Sequence, residues 1–229
     1  MIGIIVAMQD EVSYFLAKYS EYKIKKINGI TYYIYKINHY EFVLVFSDVG
    51  LVNAAMTTSA LINNFQIDFL VNVGSCGTNS PEIKVLTPYL VDNVQYMNVD
   101  LTAFGYQKNQ IPRKPTNFLA HKDLSDEIAA NLNLNSYVCG SSDIFVDHEQ
   151  HNLINDFQPT LIDMELAAIA HVAYANFIPW ISVKMVSDTL VSKAKTAQSH
   201  QDNLNEINLY FQDHLLEIIK TVYFYVKAN

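Results

Sequence analysis

Arginine is almost missing from this chain: Arg113 is the only one in 229 residues. Sites that clamp phosphate favour bidentate, permanently charged guanidinium groups, so a phosphate grip made of several arginines is excluded. Basic side chains are scarce altogether. Fifteen Lys and Arg stand against 23 Asp and Glu, for a formal net charge of −8. That balance argues against nucleic acid or an anionic membrane as the main partner. Cysteine is scarce too. Cys76 and Cys139 make neither a disulfide framework nor a CxxC metal motif. No stretch supplies the roughly 18 uncharged apolar residues that a membrane helix needs. The opening MIGIIVAMQDEV turns acidic at once and carries no basic segment, unlike a signal peptide. The expectation is a cytoplasmic protein with reduced thiols.

What is present is apolar material: half of the residues are hydrophobic, enough for a sizeable core. Repeats, low-complexity tracts and long linkers are absent, so residues 1–229 are read as one domain. Short apolar runs alternate with helical patterns. Strands are expected at 2–7, 30–37, 41–46, 69–77, 88–97, 136–143, 160–162 and 180–188. The 69–77 strand is expected to end in a glycine turn, GSCG. Helices are expected from about residue 8 to 19, at 51–65, 121–132, 161–175 and about 201–226. This order implies an α/β fold, a mixed central β-sheet flanked by helices. The tyrosine-rich 30–46 segment reads as an antiparallel hairpin and as packing surface.

The segment LIDMELAAIAHVAYA, residues 161–175, poses a problem. Its helical part has no solvent stripe, which marks a buried helix, yet Asp163 and Glu165 stand at its start. A buried carboxylate costs several kcal/mol unless something pairs with it. Other acids occupy equivalent places. Ligands of open α/β sheets bind beyond the carboxyl ends of the strands, and those ends carry Glu11, the SDVG of 47–50, the GSCG of 74–77, Asp143 with Phe145, Asp163 with Glu165, and Ser187 with Asp188. Taken singly, each acid is a helix cap, Phe145 is core, and His171 is a satisfied buried histidine. His148 and His151 have metal-like spacing but no evident third ligand. Taken together, several acids at equivalent strand ends suit cleavage of a glycosidic bond. One acid protonates the leaving group, another activates water, and negative charge steadies an oxocarbenium-like sugar.

These residues resemble a known family. GIIVAMQDEV, SDVGLVNAA, VNVGSCGTNSPEIKV, DLTAFGYQKNQIP, SSDIFV, IDMELAAIAHV and VKMVSD match, in order and spacing, the 5′-methylthioadenosine/S-adenosylhomocysteine nucleosidases of the nucleoside phosphorylase superfamily. The resemblance covers most of the chain and implies a nucleosidase without cofactor or metal. It implies that Asp188 is the general acid toward adenine N7, with Ser187 beside it. Glu11 would activate the attacking water. Glu165 would hold the ribose hydroxyls and the developing positive charge, with Met164 under the sugar. Phe145 would stack on adenine and the Val146 backbone would read its edge. Ser75, Gly77, Val49 and Asp163 would border the ribose and base. Phe104 and Pro112 match positions that cover the 5′-alkylthio group in a neighbouring subunit, with Tyr106 lining the same apolar pocket. A homodimer acting on a small purine nucleoside is implied.

The chain departs from the family pattern in places. The usual Ser-Gly-Ile-Gly-Lys loop reads Ser47-Asp48-Val49-Gly50-Leu51, GSCG stands for GSAGG, Lys184 for a common Arg and Met97 for a common His. Asn72 stands where related phosphorylases have a phosphate-binding arginine. Water is therefore the expected nucleophile. A broader purine nucleoside hydrolase or phosphorylase, and a nucleoside-binding protein without catalysis, are the alternatives.

Overall fold

The computed structural model describes residues 1–147, 160–190 and 196–228. Its sheet is built outward from the most apolar strand of the N-terminal half. Strand β1 (Ile2–Val6) is buried throughout. It runs parallel to β4 (Tyr40–Phe46) on one side and to β5 (Phe69–Thr78) on the other. Beyond β4 the chain adds β3 (Ile30–Ile37) and β2 (Tyr22–Ile27), both antiparallel.

On the β5 side the sheet curls round. Strand β10 (Trp180–Thr189) lies parallel to β5, and β6 (Pro88–Tyr96) runs antiparallel to β10. Strand β8 (Ser136–Ser141) is parallel to β6, and β9 (Leu161–Asp163) is parallel to β8. Strand β9 then pairs back onto β5 through Gly77–Ile162 and Thr78–Leu161, which closes a five-stranded ring. A two-residue strand, β7 (Phe118–Leu119), hangs on β6.

Side-chain alternation along the strands makes two cores. Ile2, Ile4 and Val6 share one apolar cluster with Phe15, Leu124, Phe211 and Leu215. That layer carries α1 (Ser13–Lys18), α3 (Lys122–Leu132) and α5 (Thr196–Ala228). Ile5, Val43, Val45 and Leu70 point the other way, toward α2 (Leu51–Asn64) and α4 (Leu166–Ala175). Helices on both faces of a mixed sheet, parallel at β1–β4, β1–β5, β5–β10, β6–β8 and β8–β9 and antiparallel elsewhere, give the expected α/β architecture. Among the described residues no helix is long and apolar enough to cross a membrane.

The helix expected from about residue 8 to 19 is instead a 3-10 turn, Gln9–Glu11, followed by α1, and the short β7 was not anticipated; the other expected elements are present, with four further differences. Strand β2, YKIKKI, was not anticipated, because its exposed lysines break the apolar pattern; it is an edge strand, and charge is how such edges resist further pairing. The GSCG segment is not a turn: β5 continues through it to Thr78. The helix of 161–175 begins only at Leu166, since Leu161–Asp163 are claimed by β9. The last helix starts at Thr196 rather than near 201. The tyrosine-rich hairpin is packing surface, with the Tyr35 ring stacked 4.7 Å from Phe42. His171 stacks on Phe118 and meets the Tyr96 hydroxyl at 3.0 Å, the satisfied histidine of the sequence reading. His148 and His151 lie outside the described residues.

Candidate active site

Beyond the carboxyl ends of β1, β5 and β10 lies a pocket of about 230 Å³. The 3-10 turn Gln9–Glu11 after β1 brings in Glu11. The residues around β9 bring Asp163, Met164 and Glu165, and the end of β10 brings Ser187 and Asp188. Ser75 and Gly77 of β5, Val49 before α2, and Phe145 and Val146 after β8 complete the wall. Eleven of the fourteen residues singled out from the sequence thus share one cavity. Phe104, Tyr106 and Pro112 do not border it; they belong to the 101–117 segment, and Phe104 is largely exposed. Ala7, Met8, Cys76, Ile144, Ile162, Leu190 and His200 were not anticipated. Most are apolar strand-end residues whose wall position no local pattern signals. His200 lies far along the chain in α5, in a stretch to which the sequence reading assigned no element.

The three central carboxylates are nearly removed from water: Glu11 is 1% exposed, Glu165 5% and Asp188 3%. Each is held by neutral donors. Glu11 Oε1 accepts hydrogen bonds from the Ser75 backbone N–H (2.6 Å) and hydroxyl (2.7 Å), and Oε2 accepts from Met8 N–H (3.1 Å). This requires a glycine next door, because a Cβ at Gly74 would sit 2.8 Å from Glu11 Oε1. Gly77 serves Asp188 likewise: its Cβ would lie 2.9 Å from Asp188 Oδ1. The two glycines of GSCG are there for close approach of carboxylates within a strand.

Glu165 Oε1 accepts from the Gly50 N–H at the start of α2 (3.0 Å). The next amide, Leu51 N–H, donates to Asp143 Oδ1 at 2.7 Å. One helix N-terminus therefore serves carboxylates from two other segments, where its dipole favours negative charge. Burial, and next the nearby Asp163 charge, still push Glu165 up to about 7. Asp188 Oδ2 lies 2.6 Å from the Ser187 hydroxyl. Burial raises Asp188 above the usual carboxylate range, although the Ser187 hydrogen bond and His200 oppose that. A buried carboxyl that resists ionisation suits a proton donor.

Asp163 borders the pocket, but its carboxylate is already engaged. Oδ2 pairs with Lys184 Nζ at 2.8 Å, and both side chains are almost fully buried. Oδ1 accepts from the Ser141 hydroxyl, and Leu166 N–H reaches Oδ2 at 3.1 Å. Asp163 thus caps α4 and fixes Lys184 while it borders the pocket beside Met164 and Glu165. Burial opposes the Lys184 charge, but Asp163 and Glu165 outweigh it and raise its affinity for a proton.

Asn72 is buried within the sheet. Its amide donates to Ile5 O (3.0 Å) and accepts from the Ser182 hydroxyl (2.9 Å), linking β1, β5 and β10. Asp48, whose carboxylate was a possible intruder at the site, is exposed and does not border the pocket. It takes a left-handed conformation (φ 61°), which Asp tolerates better than most residues. Cys76 and Cys139 are free and buried, and burial pushes both thiols up. Among the described residues no group of three His, Cys, Asp or Glu could hold a metal ion.

A curled α/β sheet whose strand ends enclose a carboxylate-lined pocket defines the class, and the chain matches the Phosphorylase superfamily over residues 1–220. It is 37% identical to a 5′-methylthioadenosine/S-adenosylhomocysteine nucleosidase of Buchnera aphidicola subsp. Baizongia pistaciae, over 82% of this chain and 78% of that one. Among solved structures it is similar to the Colwellia psychrerythraea nucleosidase of the same name in complex with adenine (27% identity, TM-score 0.87, 96% of this chain and 94% of that chain). The nucleosidase of the same name from S. pneumoniae, with the transition-state inhibitor MT-ImmA, gives 28% identity and a TM-score of 0.87 over 96% of this chain and 99% of that chain. The chain belongs to the 5′-methylthioadenosine/S-adenosylhomocysteine nucleosidase family.

The Lys184–Asp163 pair generates a stability prediction. Lys184→Met leaves an unpaired buried carboxylate and is expected to cost about 3–5 kcal/mol, whereas Lys184→Arg keeps the charge and costs less. Urea unfolding followed by circular dichroism measures both; a Met variant as stable as the parent contradicts this account of Asp163.

Proposed function

We propose that this chain hydrolyses the N-glycosidic bond of 5′-methylthioadenosine and S-adenosylhomocysteine, releasing adenine and the 5-thioribose product. The observation that carries the proposal is the meeting of Glu11, Glu165 and Asp188 in one small pocket. Membership of the family supports the substrate class.

The chemistry follows from the surroundings of each acid. Asp188, raised by burial, is the general acid that protonates adenine N7 as the C1′–N9 bond breaks. Ser187 orients it. Phe145, on the pocket wall, stacks on the base, and the Val146 backbone reads its edge. Glu165, when ionised, has acceptor oxygens only and so matches ribose hydroxyl donors. The same negative charge stabilises the oxocarbenium-like sugar as it forms, where binding energy accelerates reaction. Met164 packs beneath the ring. Glu11, held rigid by Ser75 and Met8, takes a proton from the attacking water. Val49 and Gly77 border the sugar and base.

Water rather than phosphate as nucleophile is supported by the wall itself. Among the described residues, no lysine or arginine borders the pocket. Asn72, at the position of a phosphorylase arginine, is bonded within the sheet. Arg113 is exposed in the 101–117 segment.

The subunit arrangement is part of the proposal. Val52 and Met56 on α2, Phe177 after α4 and Phe104 are exposed large apolar residues. Apolar side chains this exposed suit burial against a second subunit. We infer a homodimer in which Phe104, Tyr106 and Pro112 of one subunit cover the 5′-alkylthio group in the other's pocket. A cytoplasmic location is likewise proposed; the net charge of −8 and, among the described residues, the lack of a helix long and apolar enough to cross a membrane are compatible with it.

Adenine release from methylthioadenosine should proceed equally with and without phosphate. Asp188→Asn should lower kcat by roughly 10²–10⁴-fold with binding largely kept, and Glu11→Gln should similarly cripple attack. A phosphate requirement with formation of a ribose 1-phosphate would overturn hydrolysis, and binding without any adenine would mark a nucleoside-binding protein. Faster turnover of adenosine than of the thioethers would favour the broader specificity.

The pH dependence has a definite sign. Glu165 must be ionised, and its affinity for a proton is raised to about 7. kcat/KM should therefore fall as the pH is lowered through 7, and the ionised form costs the fold stability as the pH rises through that value. A kcat/KM profile flat from about pH 5 to 8 contradicts this role for Glu165.

For the dimer, sedimentation should give twice the 26.0 kDa chain mass. Phe104→Asp should raise KM for methylthioadenosine while the substrate's adenine end is bound as before. A fully active monomer would refute the shared pocket.

A further inference from the structure

His200 projects from the second turn of α5 onto the pocket wall, beside the acid that the reaction must recharge. Its Nδ1 lies 3.0 Å from the Ser187 hydroxyl oxygen, which itself lies 2.6 Å from Asp188 Oδ2. The direct separation of Nδ1 from Asp188 Oδ2 is 3.8 Å, too long for a hydrogen bond. The three groups thus form a chain with the serine in the middle. We propose that His200 is a proton-relay residue that recharges Asp188 through the Ser187 hydroxyl.

The relay rests on the reading of Asp188 as general acid. In each turnover adenine leaves with the Asp188 proton, and Asp188 is left as a buried anion. A proton then shifts along two hydrogen bonds. The His200 Nδ1–H bond breaks and a new O–H bond forms on Ser187. The original Ser187 O–H bond breaks and a new O–H bond forms on Asp188 Oδ2. Imidazolium becomes neutral imidazole, carboxylate becomes carboxylic acid, and serine is unchanged. His200 regains a proton from water, while Glu11 returns to water the proton taken from the nucleophile, so protons balance. Serine can play the middle part because a hydroxyl donates one hydrogen bond and accepts others; its proton has two acceptors within reach, Asp188 Oδ2 at 2.6 Å and the Cys76 carbonyl at 3.1 Å, and the shorter contact is the one the relay uses. Imidazole is the side chain that exchanges protons most readily between about pH 5 and 8.

The surroundings keep the chain in line and in touch with solvent. Asn203 Nδ2 donates to the Ser187 carbonyl at 2.7 Å, pinning α5 to the end of β10. The His200 side chain keeps 21% of its surface exposed, and its ring meets Phe145 edge-on. Several charged groups face it. Asp188 comes from β10 and Glu11 from the turn packed on α5, where Asp10 is turned to solvent. Glu165 and Asp163 border the same pocket, and Asp147 follows Val146 on the Phe145 segment. On its own helix, Asp202 accepts a hydrogen bond from Gln198. Asp188 is the acid within 4 Å of the ring among the described residues.

The test uses His200→Gln, which keeps a polar side chain without a titrating ring, and His200→Ala, which leaves room for added imidazole. Both are assayed for adenine release from methylthioadenosine across about pH 5 to 8. The expected result is a kcat at least about tenfold lower at the alkaline end, shrinking to within about twofold at the acid end, where water supplies protons directly, with KM little changed. Imidazole in the buffer should restore the Ala variant. A loss equal at every pH, a change confined to KM, an unaltered kcat profile, or failure of imidazole to rescue overturns the relay. Asp188→Asn runs alongside: if it turns over normally, the general-acid assignment itself falls. If it is inactive while the His200 variants keep the parent profile, only the relay falls.

Discussion

Everything at this site depends on keeping three carboxyl groups out of water without pairing any of them directly with a full cation. Glu11, Glu165 and Asp188 are almost wholly buried, and an ionised carboxyl in such a place costs several kcal/mol unless it is hydrogen-bonded. The fold meets that cost mostly with neutral donors. Ser75 and Met8 serve Glu11, the start of α2 serves Glu165, and Ser187 serves Asp188. A full cation is used once, on Asp163, which lies slightly aside. An arginine or lysine paired with any of the other three would lower its affinity for a proton and blunt its chemistry.

That economy explains the shape of the strands around the pocket. Donor and acceptor meet only where backbone and carboxylate come within 3 Å, so β5 carries glycine at 74 and 77 and remains a strand through both. Closure of the ring by β9 brings Asp163 and Glu165 to the same rim as Asp188, although some 20 residues of sheet and helix separate them in sequence. The pairing of Asp163 with Lys184 ties β9 to β10 and holds the acids in register. The same ion pair thus organises the rim that carries the proposed catalytic acids.

The residues that depart from the family pattern fall into different physical roles. Asp48 lies in solvent in a left-handed turn and leaves the pocket wall to Val49. Lys184 keeps the positive charge of the common arginine, and its single ammonium suffices because one carboxylate faces it directly. Asn72, whose contrast is with the phosphorylases and not with the nucleosidases, is a neutral amide bonded between three strands.

The sequence alone determined the α/β class, most strand and helix positions, and the acids at the strand ends. Those follow from local rules: apolar periodicity, strand–helix alternation and motif order are all carried by neighbouring residues. It missed β2, whose edge lysines hide a strand, and it took GSCG for a turn, since glycine signals a bend and a close contact in the same way. Tertiary structure decided what each polar group faces. The engagement of Asp163 by Lys184, the turning of Asp48 to solvent, and the arrival of His200 beside Ser187 each depend on elements distant in the chain. Such placements come from sheet closure and helix packing, which no local pattern encodes.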